Sequence, residues 1–142
     1  MWLYNGTEFT SEDIKDNVGF VYCIHDLETG KKYIGKKIFR SVRKLPPLKG
    51  KKRKRTRVVE SDWMDYYGSS DALKLLVEES GQDRFKREII HLCKTKGEMG
   101  YLEAKEQFDR GVLLSDEYYN GIIQCKIHAS HVKSLVDTIE NS

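Results

Sequence analysis

The chain has 142 residues, 39% of them hydrophobic and 33% charged, the profile of a water-soluble protein long enough to bury one core. No apolar run approaches the ~20 residues that a membrane-crossing helix needs, and the opening MWLYNGTEFTSEDIKDN lacks the basic-then-apolar order of a secretion signal. The net charge is only +3, but residues 31–57 hold 14 of the 25 Lys and Arg and no Asp or Glu, so an otherwise acidic chain carries one concentrated basic segment, the footprint of a polyanionic partner.

Three cysteines, Cys23, Cys93 and Cys125, are odd in number, far apart and without CxxC spacing, as expected of reduced thiols in a cytosol. In chain order, FTSEDIKD (9–16) predicts a short helix, with Thr10 or Ser11 as its cap and acidic residues in its first turn. GFVYCIH (19–25) alternates in β-prone residues and predicts a strand. DLETG then reads as a turn, and KKYIGKKIF as the returning strand of a hairpin. Residues 40–59 hold both prolines and most of the charge, and predict a basic loop inserted into the fold.

SDWMDYYGSS (61–70) is short and aromatic, suited to a helical turn. Ser70 as cap and Gly81 as stop bound a helix over 70–81. RFKREIIHLC (84–93) predicts a third strand, 98–111 a second helix, 112–123 a loop or short strand, and 131–140 a C-terminal helix. No repeat or linker divides the chain. The expectation is a single domain over 1–142 of α/β (α+β) class, a small sandwich whose central antiparallel three-stranded sheet is flanked by helices.

The stretch 19–37 carries the chemistry. Closure of the hairpin with Asp26 opposite Thr29 sets Tyr22 opposite Tyr33, their Cβ atoms about 4.5–5.5 Å apart on one face. On its own that pair is also ordinary cross-strand packing. Gly35 lets a ligand approach the backbone, and Lys36 and Lys37 place cations beside phenols whose ordinary pKa is ~10. Cations favour phenolate, so a lowered tyrosine could act as a general base or orient a water.

FVY at 20–22 and YIG at 33–35, ten residues apart, resemble the two signature strands of the GIY-YIG nuclease family. The second triplet is literal, whereas Phe20 and Val21 stand where the family has Gly and Ile. The likeness spans roughly 19–122 and is strengthened by ESDW, YYGSS and YYN, runs similar to those of small phage members, Seg-like and homing-endonuclease-like. It implies a GIY-YIG-like sandwich and a metal-dependent DNA endonuclease that hydrolyses phosphodiesters with one Mg²⁺ (or Mn²⁺). Tyr22 would activate the water, helped by Tyr33 and a lysine, Lys36 or Lys37. The metal glutamate would be Glu103 in YLEAKEQF, with Glu106 as the alternative. A phosphate-holding arginine would be Arg43 or, allowing for the insertion, Arg57, with Arg40 close by. Asn120 matches a late asparagine that fixes a loop or holds a phosphate oxygen. Tyr66 or Tyr67 would supply a hydroxyl, or simply pack.

Beside such a hairpin, Lys49, Lys51, Lys52, Arg53, Lys54, Arg55 and Arg57 read as an arm for double-stranded DNA. The arm has no stacking aromatics, so it positions rather than specifies. Little length is left for a separate recognition domain, so specificity should be modest, or come from this insertion or a dimer. Cys125, His128 and His131 stand at three-residue steps but lack a fourth ligand for zinc and read as ordinary residues. If phage-encoded, as the likeness implies, the protein would work in the cytoplasm of the infected bacterium. The rival readings are a catalytically weak nucleic-acid-binding module of the same fold and a protein that docks on a nucleoprotein complex.

Overall fold

A computed structural model describes residues 1–133 and 135. The strands are β1 (Trp2–Tyr4), β2 (Thr7–Phe9), β3 (Gly19–Asp26), β4 (Lys32–Ile38), β5 (Arg40–Leu45), β6 (Arg55–Glu60) and β7 (Phe85–Cys93). The helices are α1 (Asp71–Ser80) and α2 (Lys96–Asp109). The main sheet runs β2-β1-β7-β3-β4. Its antiparallel heart, β7-β3-β4, is the expected three-stranded sheet.

The N-terminal hairpin β1–β2 is an addition to the elements expected from the sequence, and β1 lies parallel to β7. Asn5-Gly6 makes its turn with φ of 52° and 80°, the conformation that favours this dipeptide between short strands. Phe9 ends β2, so the helix expected over 9–16 shrinks to one tight turn at Ser11–Asp13. The Asp13 carboxylate accepts the Thr10 N–H at 2.8 Å, and Lys15 at φ 51° stops the turn after it has buried Ile14.

Each face of the sheet has its own core. Trp2, Phe20, Phe39 and Trp63 pack on one side beneath α1, with Trp2 and Phe20 edge to face at 4.9 Å. The Trp2 indole N–H donates to the Trp63 carbonyl at 2.7 Å and ties the added hairpin to the helical turn at Trp63–Asp65. Val21, Ile34, Cys93, Met99 and Val112 pack on the other side, under α2. Ser70 caps α1 as expected, accepting from Leu73 N–H, and Thr95, accepting from Glu98 N–H, caps α2, which starts two residues ahead of the expected 98. Burial pushes the thiols of Cys23 and Cys93 up to about 11 and about 12, so neither ionises near neutrality.

The segment 40–59 is a correction. It is a two-stranded ribbon, β5–β6, in register from Arg40↔Glu60 to Leu45↔Arg55, and only 46–54 forms the connecting loop. Its Val42, Val58, Val59 and Thr56 are β-formers, but both faces are interrupted by charge, which hides the period of two. Pro46 and Pro47 follow the last paired residue, where a missing N–H costs nothing. Of the helix expected over 131–140, Ala129–Val132 is a short tight turn and most of the rest lies outside the described residues.

Candidate active site

The hairpin register differs from the expected one. Tyr22 lies opposite Gly35, and Tyr33 opposite Ile24. The reason is the turn. Asp26 Oδ1 accepts the N–H groups of Glu28 and Thr29, and Asp26 pairs with Lys31 through the backbone, so the loop is two residues longer than expected. A slip of two keeps every side chain on its face. Tyr22 and Tyr33 are therefore diagonal neighbours, with rings 6.3 Å apart and tilted by 31°.

The new register gives Gly35 a specific role. A Cβ there would collide with the Tyr22 hydroxyl, so the phenol occupies the space that any side chain would need. β7 carries a bulge next to Tyr22, between its Ile89 and His91 pairings, a device that commonly aims a side chain at a site.

β4 is the outer strand of the sheet, and a later segment covers it. Asn120 Oδ1 accepts the Ile34 N–H at 3.0 Å and its Nδ2 donates to the Ile34 carbonyl at 2.8 Å, replacing a missing neighbour strand. Asn120 is buried and fixes a loop, one of the two roles considered for it. Gln107 on α2 donates to the same carbonyl at 3.1 Å.

Along this edge opens a cleft of about 320 Å³ lined by Tyr33, Lys36, Tyr66, Ser69, Glu103 and Gln107. The Tyr33 hydroxyl bonds Ser69 Oγ at 2.9 Å. Glu103 comes from α2 on the opposite face, and its carboxylate lies 3.9 Å from Lys36 Nζ with only 13% of its side chain exposed. Burial raises the Glu103 carboxyl above the usual range, opposed by Lys36. Its negative charge is a lesser cause, after burial, of the raised pKa of Tyr22 and Tyr33.

Glu106, the alternative, is engaged elsewhere. Its oxygens contact His91 Nε2 at 2.8 Å and Arg110 Nε at 2.9 Å, outside the cleft.

The expected lowering of the tyrosines does not occur. Tyr22 is almost wholly buried, and burial, then the phenols of Tyr66 and Tyr33, push its pKa well up. Burial raises Tyr33 as well, against its bond with Ser69. Lys37 is held by Asp62 at 2.7 Å and lies over the Tyr66 ring at 4.2 Å, so it positions that ring rather than facing Tyr22.

The arginines are not brought to the cleft. Arg43 and Arg57 are exposed and stand opposite each other on the ribbon. Arg40 donates to the Lys15 carbonyl at 3.2 Å. Among the described residues, no hydrogen bond or ion pair joins any of the three to Tyr22, Tyr33 or Glu103. Lys49, Lys51, Lys52, Arg53, Lys54 and Arg55 are all exposed around the ribbon's tip. No group of three or more His, Cys, Asp or Glu among the described residues is placed to hold a metal, so Cys125, His128 and His131 do not form one. Among the described residues, no helix is long and apolar enough to cross a membrane.

Two further residues matter here that residue type and spacing did not nominate. Gln107 is buried, and among the described residues its Oε1 has no hydrogen-bond partner although the residue lines the cleft. It lies four positions after Glu103, the spacing that shares a helix face. Arg87 is 3% exposed between Phe85 and Ile89 on the apolar face of β7, a position that strand alternation makes legible. Its guanidinium lies between the rings of Trp2 and Tyr67 at 4.6 and 4.1 Å. It donates to the carbonyls of Met64 and Tyr66 at 3.0 and 2.8 Å, fixing the segment that carries Tyr66 into the cleft. Tyr67 thus packs under a cation and takes no place in the cleft.

Residues 2–123 match the model of one family, described as "Putative endonuclease segE, GIY-YIG domain". No curated protein and no solved structure matches the chain. The match covers the added hairpin, both tyrosine strands, the ribbon and Glu103, and so reaches beyond the two triplets. The chain belongs to the GIY-YIG endonuclease family.

Proposed function

We propose that the protein is a metal-dependent endonuclease that hydrolyses phosphodiesters in double-stranded DNA at the cleft beside Gly35. Family membership implies a nuclease acting on nucleic acid. The observation that carries the finer reading is that Tyr33 and Tyr66 from one face of the sheet and Glu103 and Lys36 from the other line one cleft, with Tyr22 packed beside Tyr33 in the space over Gly35.

The donor set fits Mg²⁺ or Mn²⁺. Glu103 offers one hard carboxylate, and Gln107 Oε1, without a partner among the described residues, is a buried acceptor in the same cleft, suited to a metal-bound water. Such ions commonly use one or two protein carboxylates and keep several waters. When bound, the ion stabilises charge on the phosphate and the leaving oxygen.

The remaining work belongs to the chain. Tyr22 and Tyr33, neutral by burial, orient the attacking water by hydrogen bonds, Lys36 favours the hydroxide that forms, and the proton passes to a solvent water in the open cleft. Ser69 and Tyr66 fix the Tyr33 side of the cleft. Arg43 or Arg57 holds a phosphate, a part for which the bidentate guanidinium is suited.

The test is nicking of supercoiled plasmid in Mg²⁺ by the wild type, Glu103→Gln and Tyr22→Phe. The proposal expects cleavage by the wild type alone, with binding kept by both variants. Binding without cleavage by the wild type in Mg²⁺ or Mn²⁺ would favour the second reading, a catalytically weak binding module. The absence of any arginine at the cleft among the described residues is the observation on its side.

A further inference from the structure

We infer that a DNA strand leaves the cleavage cleft along a cationic track over the start of α2 and reaches the root of the β5–β6 ribbon, with Lys36, Lys126, Lys96 and Arg40 contacting successive stretches of its phosphates. The inference rests on the DNA reading above and deepens it by assigning a path.

Three clefts follow one another and share walls. The catalytic cleft shares Lys36 and Gln124 with a second, of about 220 Å³, lined also by Lys96, Gly97, Gly100 and Lys126. The second shares Lys96 with a third, of about 500 Å³, lined by Ile38, Arg40, Ser41 and Val42 at the ribbon's first residues. The second cleft is open at Gly100, where a Cβ would meet only the Lys36 ammonium, at 3.8 Å, while His131 packs against Gly97 and forms part of its wall.

The charge has one sign. Lys96 and Lys126 are exposed and make no ion pair among the described residues. Asp16, at the far end, is held by Lys94 at 2.7 Å, and Glu103, at the near end, is the carboxylate assigned to the metal. Unpaired lysines in a connected groove suit the evenly charged backbone of a nucleic acid, which is bound without reading bases. In a chain that is acidic outside residues 31–57, Lys96 and Lys126 extend the basic surface where the groove requires it.

The test is binding of a fluorescein-labelled duplex oligonucleotide, without divalent metal, over a salt series. Replacing two phosphate contacts, in Lys96→Gln with Lys126→Gln, should weaken binding on the order of tenfold and lower the salt slope by about two. Lys105→Gln, on an α2 residue paired with Asp109, should change neither. An unchanged affinity and slope in the double variant would overturn the track, as would an equal loss in Lys105→Gln, which would mark general surface charge. Tighter binding of single-stranded oligonucleotide or RNA than of duplex would overturn the assignment to DNA duplex.

Plasmid nicking measured alongside separates the two proposals. Nicking by the wild type, with a double variant whose binding is unchanged, removes the track alone. Track-dependent binding with no nicking removes the nuclease reading and leaves the track.

Discussion

The chain builds two antiparallel strand pairs in succession, and they are used in opposite ways. β3 is buried almost throughout and β4 is buried or half-buried at every position but Lys36, between two cores, while the next pair, β5–β6, is mostly exposed. The first pair has a side chain or a neighbouring loop against each of its surfaces, and its gap at Gly35 is filled by a phenol. The second has no core of its own and presents arginine opposite arginine at 43 and 57. Strand pairing is the same in both, so backbone hydrogen bonds do not decide the role. Burial does, because it fixes side chains in one geometry in the first pair and leaves charges in water in the second, where the proposed DNA arm lies.

Substitutions should therefore damage the two pairs very differently. The largest effect is expected for Gly35→Ala. The new Cβ meets Tyr22 inside a packed core, which should cost about 1–3 kcal/mol and displace the phenol. Thermal unfolding and plasmid nicking together would check this, and a variant that keeps both full stability and full activity would break the account of Gly35.

Arg87→Met comes next. It leaves the Met64 and Tyr66 carbonyls without their donor, at about 1–3 kcal/mol for an unsatisfied buried group. Denaturant unfolding should show the loss, and the cleft should loosen through Tyr66, seen as a larger fall in nicking than stability explains.

Asp26 closes the β3–β4 turn and yields a pH prediction. Burial would raise its carboxyl, but hydrogen bonds from Arg84, Tyr119, Thr29 and the Glu28 N–H hold it well below the usual carboxylate range. A depressed folded-state pKa contributes stability that is complete above the unfolded value of ~4 and declines as pH falls below it. The wild type should lose stability on acidification in that window, and Asp26→Asn should be less stable at neutral pH with a flatter acid limb in a melting series.

Glu103→Gln tests the other side of the comparison. Its carboxylate is desolvated against one lysine at 3.9 Å, so neutralising it should not lower the melting temperature, while nicking should be lost. A marked loss of stability would make Glu103 a structural residue. Arg57→Ala should have the smallest effect on folding, within about 0.5 kcal/mol for an exposed side chain. Its mark should be a lower salt slope in DNA binding.

Much of the site is legible in the residues themselves. The triplets mark Tyr22, Tyr33 and Gly35, Ser70 and Gly81 bound α1, and the run YLEAKEQF nominates Glu103, with Glu106 as the alternative, on α2. The ribbon is not legible, because its charges mask the alternation of its β-formers. The N-terminal hairpin is signalled by Asn5-Gly6, yet three-residue strands gain their stability only from a neighbour, here β7. The arginines show the limit from the other side. Residue type and spacing nominate Arg43 and Arg57, but their distance from the cleft depends on where a ribbon points.

The sequence by itself determined the family likeness, the alternation that sets Tyr22 and Tyr33 on one face, and the segregation of basic charge into one segment, since each is a property of neighbours along the chain. The tertiary structure alone decided the register that puts Tyr22 over Gly35, the engagement of Glu106 by His91 and Arg110, and the meeting of Glu103 with phenols from the other face. Those depend on loop length, on the packing of α2 and on desolvation, all set by contacts between residues far apart in sequence.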